Sequence, residues 1–169
     1  MADNKAKRSQ WYTFLNTGTE DSPKWVREGK HTSELTAQMN PQTKTTQDVT
    51  QDTAETDITG YQPSIGISKS VSKTDPTFDF IDKIRRNRSI LSDAYAQILN
   101  VDVFNEGSGG KYPAELQNVS IQIDSFGGNA SDPLTIGYTY NYRGDPVKGT
   151  VTLSEGQPTF TANDSTETV

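Results

Sequence analysis

The chain has 169 residues, 31% of them hydrophobic, and a formal net charge of −6, which suffices for one domain with a single continuous core and no more. It contains no cysteine, and His31 is its only histidine, so disulfides, thiolate metal sites and a His-based metal centre are excluded. No run approaches the roughly 20 apolar residues of a membrane span, and the polar, basic start of the chain lacks the apolar segment of a secretory signal.

Those features lead us to expect a protein that stays in the cytoplasm where it is made, with the sequons at Asn118, Asn129 and Asn163 coincidental. Charge is uneven. Residues 1–9 hold Lys5, Lys7 and Arg8 against Asp3, a local +2, so residues 10–169 carry −8. A body of that sign is poorly suited to gripping DNA, because such affinity rests on Lys and Arg neutralising phosphates. Thr, Ser, Asn and Gln replace apolar residues, which suits thin β-layers whose polar surface is partly covered when copies associate.

In chain order, residues 1–9 read as a flexible basic arm. Gln10–Asn16 is aromatic and β-prone, a first strand. Ser22-Pro23 signals a turn, and Trp25 with Val26 opens a second strand. Residues 31–57 then lack aromatics and glycine and are dominated by Thr and Gln. Leu35, Met39 and Val49 are too sparse there to anchor a core element, so the stretch reads as a long extended loop. Such loops in compact domains are usually functional or disordered. Folded back on itself this one reaches about 40 Å. Its Thr content favours an arm that orders against a neighbouring subunit over a floppy surface loop. The expected contact residues are Leu35, Met39, Thr43, Thr45, Val49 and Thr53.

Tyr61–Val71 resumes alternation, with Ile65, Ile67 and Val71 on one face and Gly66, Ser68 and Ser70 on the other. A helix is expected over 76–88. Asp75 is a good N-cap, Pro76 takes the first helical position, Asp79 lies in the opening turn, and Lys83, Arg85, Arg86 and Arg88 crowd the end. Phe80, Ile81 and Ile84 form a stripe able to cap a sheet. Arg85, Arg86 and Arg88 read as a solvated helix end, or as salt-bridge partners for a neighbouring subunit, ahead of a nucleic-acid patch.

Beyond the helix the pattern is β. Ala94–Phe104 places Leu99, Val101 and Val103 opposite Asn100 and Asp102, and residues 106–110 make a turn. Val119, Ile121 and Ile123 alternate with polar residues, and Gly127-Gly128-Asn129 closes that strand. Leu134, Ile136, Tyr138, Tyr140 and Tyr142 share one face of the next; Arg143–Pro146 reads as a tight turn, with Val147, Val151 and Leu153 beyond it. The whole is an antiparallel meander whose strands each have an apolar and a polar face. The tail, 163–169, is expected to fray.

The chemistry of an enzyme is not evident. No P-loop, dinucleotide fingerprint, HExxH, nucleophile elbow or calcium-loop spacing occurs. Gly107, Gly109 and Gly110 lack the strand–loop–helix context of a phosphate cradle. Asp79 and Asp82 are better explained by capping and solubility, and Arg143-Gly144-Asp145 matches an adhesion tripeptide by chance. The expectation is no catalysis and no cofactor.

With these residues laid out, the chain over 10–162 resembles the major tail tube protein family of long-tailed, siphovirus-like bacteriophages. The likeness lies in the order of WYTFLN (11–16), the Thr-rich insertion, FDFIDKIRRNR (78–88), YAQILNVDVFNEGSGGKYPAELQNVSIQIDSFGG (95–128) and LTIGYTYNYRGDPVKGTVTL (134–153). The resemblance implies an antiparallel β-sandwich or split barrel with one flanking helix and a long extended loop at 31–57. It implies a homo-oligomer of hexameric rings stacked into a virion tail tube, assembled in the host cytoplasm. Its partners would be a tape measure protein and the tail terminator and distal tail proteins. DNA would pass through the lumen without specific binding, and no membrane would be involved. Two other readings stand beside it: an inner-tube-like subunit of a contractile injection or secretion system, and a monomeric carbohydrate-binding β-sandwich presenting Tyr138, Tyr140 and Tyr142.

Overall fold

The computed structural model describes residues 4–163. Strands are β1 (Trp11–Asn16), β2 (Trp25–Glu28), β3 (Thr32–Gln38), β4 (Pro41–Thr46), β5 (Glu55–Tyr61), β6 (Ser64–Ser70), β7 (Tyr95–Asp102), β8 (Tyr112–Gly127), β9 (Thr135–Tyr142), β10 (Val147–Ser154) and β11 (Gln157–Ala162). One helix, α1 (Pro76–Asn87), follows β6. The fold is mainly β and antiparallel, a half-barrel of the sandwich or split-barrel kind with one flanking helix.

Seven strands of the nine-stranded main sheet run in the order β2-β1-β7-β8-β9-β6-β3, and β4 and β5 form a second, two-stranded sheet. The long strand β8 organises the rest. Its Val119–Gly127 half pairs with β9, while its Tyr112–Leu116 half pairs with β10. Thus β9 and β10 run end to end along one edge of β8, with Arg143–Pro146 opposite Gln117 and Asn118. The expected tight turn at 143–146 is therefore corrected: it is a bulge in one long strand path. Gln117 explains it, because its buried Nε2 donates to Arg143 O (3.2 Å) and Gly144 O (3.1 Å) and satisfies carbonyls that left the ladder. The hairpin lies further on, at Glu155-Gly156, where φ of 52° and 77° gives the left-handed pair that a two-residue hairpin needs.

Two cores form on opposite faces. The first holds Leu15, Ile65, Ile67, Ile98, Val119, Ile121 and Ile136 under Ile81 and Ile84 of α1. The second holds Phe14, Leu99, Val101, Ala114 and Val151, packed by Trp25, Leu153 and Phe160. One apolar and one polar face per strand describes β9, but not β1 and β7. There alternate side chains enter different cores, and Asn100 is buried opposite Leu99 by accepting from Thr13 Oγ1 (2.9 Å) and donating to Tyr142 OH (2.9 Å).

Helix α1 starts as the sequence predicts. Asp75 caps Thr77 N, and Arg88, in the left-handed region, ends it. The 31–57 loop is corrected most. Residues 32–38 are an edge strand of the main sheet paired with β6, and Leu35 is buried at 7% exposure within the first core. Leu35 with Ala37 beside it suffices there because β6 supplies the remaining apolar surface. Of the expected arm, residues 1–3 lie outside the described residues, as does 164–169 of the expected tail. The arm is not free at Arg8, whose guanidinium donates to Leu35 O (2.8 Å) and Trp11 O (3.0 Å).

Candidate assembly site

The β3–β6 pairing does not stop at the sheet. Leu35 faces Ile67 and Gln38 faces Ser64, then Pro41 faces Tyr61 and Thr46 faces Glu55, so β4–β5 continues the same ribbon. Its root is tied where Gln62 N donates to Asn40 O (3.3 Å) and Asn40 Nδ2 donates to Gln62 O (3.0 Å). Beyond the root, among the described residues, β4 and β5 pair only with each other. At about 3.3 Å per residue, residues 41–48 carry the ribbon about 26 Å outward.

Side chains alternate across that ribbon, and the two faces differ. One carries Pro41, Tyr61, Thr43, Ile58, Thr45 and Thr56, the last pair joined by a 2.9 Å hydroxyl bond. The other carries Gln42, Lys44, Asp57, Thr46 and Glu55. The apolar face is uncovered: Ile58 is 59% and Tyr61 54% exposed. The tip is held by its own bonds, Gln51 N to Asp48 O (3.0 Å) and Gln51 Nε2 to Glu55 Oε1 (3.1 Å).

Of the residues expected to make contacts, Thr43 and Thr45 lie on the apolar face, Met39 is exposed beside the root, and Val49 and Thr53 are exposed at the tip. Leu35 is instead a core residue. Sequence reasoning missed Ile58 and Tyr61, because the Thr-rich composition ends at Asp57. Three residues apart, the two would fall on opposite faces of a regular strand; the register shift between Gln42 and Thr43 brings them onto one face, and no local pattern signals it.

The ribbon's stem is anchored by a buried ionic cluster. Lys69, at an inward position of β6, directs Nζ to Glu28 Oε2 (3.1 Å), Asp75 Oδ2 (2.8 Å) and Thr77 Oγ1 (2.8 Å). Glu28 Oε1 accepts from Tyr138 OH (2.8 Å) and Tyr140 OH (2.7 Å). The cluster ties β2, β6, β9 and the first turn of α1. Burial works to raise the Asp75 pKa, but hydrogen bonds from Lys69 and Thr77 and the Lys69 charge outweigh it and hold the carboxyl below its ordinary value. Burial, then the Glu28 charge, push both tyrosines far above theirs, so they remain donors. Cut off from solvent, this cluster is an ionic joint between those elements. Lys69 sits one step along the Ile65, Ile67 face, a signal the sequence reading passed over.

Tyr138 and Tyr140 are fully buried, which removes them as a sugar-stacking platform. The Arg143 guanidinium lies 3.3 Å over the Tyr95 ring, so the adhesion-like tripeptide does not offer a free arginine. At the end of α1, Arg85 and Arg86 both bind Asp82 in their own helix (2.7 and 2.8 Å), and Arg85 lies 4.0 Å over Phe126. Arg85 and Arg86 are thus both engaged within the chain, Arg86 while remaining exposed, and Arg88 is exposed as well. Among the described residues no group of three or more His, Asp or Glu side chains is placed to hold a metal ion, and no helix is long and apolar enough to cross a membrane.

The sequence matches no protein-family model and no curated protein. Among solved structures, it is similar to a chain in the six-fold symmetrised cryo-EM structure of the anti-feeding prophage (AFP) baseplate. Identity is 11%, 90% of this chain and 98% of that chain are covered, and the TM-score is 0.48.

Proposed function

We propose that this chain is a non-enzymatic structural subunit that binds copies of itself through the β4–β5 ribbon, and that the assembly is a phage tail tube. The observation that carries the reading is an amphipathic ribbon whose apolar face no described residue covers. A lone two-stranded ribbon is marginal in water, so a partner surface accounts for both its pattern and its length. The acidic balance of residues 10–169 suits a lumen that lets DNA slide, since few cations are present to neutralise phosphates. The tail tube assignment itself comes from the family resemblance, as do the tape measure, terminator and distal tail partners.

Electron microscopy of the purified chain tests this directly, with rings or hollow tubes expected. A variant joining Asn40 to Gln62 through a glycine turn removes the ribbon while sparing the sheet. It is expected to melt as the parent does and to form no tubes; unimpaired tube growth would overturn the reading.

A further inference from the structure

The first core and α1 lie on one side of β3, β6, β9 and residues 120–124 of β8. Alternate side chains of those strands point the other way. Register sets Thr36 beside Gly66, Gly66 beside Thr139 and Thr139 beside Gln122, so the four strands share one outward face. Its positions hold Ser, Thr, Gly, Gln and Asn, with Glu34 and Asp124 as the only charges among them. Glu34, Thr36, Gln38, Ser68, Gln122 and Asp124 are exposed. Two arginines border the face. Arg143 lies flat on the Tyr95 ring with the exposed Asp145 two residues on, and Arg8 donates to Leu35 O and Trp11 O. The side bearing α1 carries Lys83, Arg86 and Arg88 instead.

Thr, Asn and Gln are ordinary phosphate donors, but here their donors are turned inward. Asp124 accepts from Gln122 Nε2 at Oδ1 (2.5 Å) and from Thr139 Oγ1 at Oδ2 (2.6 Å), and Gln122 Oε1 accepts from Asn141 Nδ2 (3.2 Å). The middle of the face therefore offers a phosphate a carboxylate and few free donors.

We infer that this face stays wet in the assembly and is the wall that DNA passes, with Asp124 holding its donors away from phosphates. A surface without aliphatic or aromatic side chains has no anchor for a protein interface, and one without lysine or arginine at its positions displaces few counterions from DNA. The face so assigned presupposes the tail tube proposed above and says which side of the sheet looks into the lumen.

Because the chain has no cysteine, single cysteines report which face is reached. In assembled full-length tubes, Gln122→Cys is expected to react with a small maleimide and to lose its reaction with a maleimide coupled to a folded carrier protein. Asn87→Cys, exposed at the end of α1, is expected to react with both, as are both variants before assembly. Reaction of Gln122→Cys tubes with neither reagent would bury the face between copies, and reaction with both would put it outside; either result overturns the assignment while the tube reading survives. Short duplex DNA reads the role of Asp124. Wild-type tubes are expected to retain none, Thr36→Lys/Gln122→Lys tubes to retain it until salt is raised, and Asp124→Asn tubes to retain it at low salt. Asp124→Asn tubes that retain no more than wild type would remove Asp124 from that role. Wild-type chains that form no tubes under any condition overturn the tail tube reading, and this face falls with it.

Discussion

Replacing Lys69 by methionine removes one charge and keeps most of the side-chain volume, which makes it a sharp probe of the ionic joint at the end of β6 away from the ribbon. Lys69 is 1% exposed, and the Glu28 and Asp75 side chains on either side are 0% and 5% exposed. The Lys69→Met chain would leave two carboxylates buried with no cation between them. Breaking a buried pair in this way costs about 3–5 kcal/mol, a large part of the roughly 5–15 kcal/mol that stabilises a domain. With a urea dependence of about 2 kcal/mol per molar, the unfolding midpoint would fall by about 2 M. Urea titration followed by tryptophan fluorescence and circular dichroism measures this. Adding Glu28→Gln in the Lys69→Met background discharges one orphaned carboxylate and is expected to recover at least about 1 kcal/mol, a coupling that a double-mutant cycle isolates. A midpoint shift below about 0.5 M with an unchanged slope would mean that water reaches these charges and the joint is not dry.

Asp75 gives a pH dependence. Its folded pKa lies below its unfolded value, so its contribution is fully present above an unfolded pKa near 3.9 and is lost as pH falls through the lower folded value. The stability gap between wild type and Asp75→Asn is therefore expected to shrink between pH 5 and pH 3 (about the range set by these values), and a gap that stays constant or widens would contradict the pairing. Leu35→Ala is expected to cost about 2–4 kcal/mol, whereas Val49→Ala at the fully exposed tip should stay within about 0.5 kcal/mol; equal effects would return residue 35 to a loop. Gly149→Ala puts a Cβ against Thr161 O and 2.6 to 2.7 Å from the Phe160 ring, so a loss of about 1–3 kcal/mol is expected along with local disorder of the β10–β11 hairpin, read by thermal melts and hydrogen exchange of β10 and β11.

Much of the fold was legible in local patterns. Asp75, Pro76 and the terminal arginines define α1 because caps and dipoles act within one turn. The Ile136, Tyr138, Tyr140 alternation defines a buried face because strand side chains repeat every two residues. The ribbon was half legible: Thr-rich composition marked an arm, yet it hid the register that makes Thr32–Gln38 an edge strand and brings Ile58 and Tyr61 onto the same face as Thr43. Arg143–Pro146 looked like a hairpin because Gly and Pro punctuate turns and bulges alike. Only Gln117, distant in sequence, separates the two.

From its residues alone, then, the chain determined its β-rich class, its helix and caps, its acidic body and an arm poor in apolar anchors, since each depends on side chains close together along the chain. Tertiary structure decided the rest. It set the two cores on opposite faces of β1 and β7, and it buried Lys69 between Glu28 and Asp75, residues separated by the whole of the ribbon or by the entry into α1. It also gave the ribbon one face that no described residue covers. Burial and pairing are properties of which strands become neighbours, and strand neighbours are chosen by long-range contacts that no local pattern encodes.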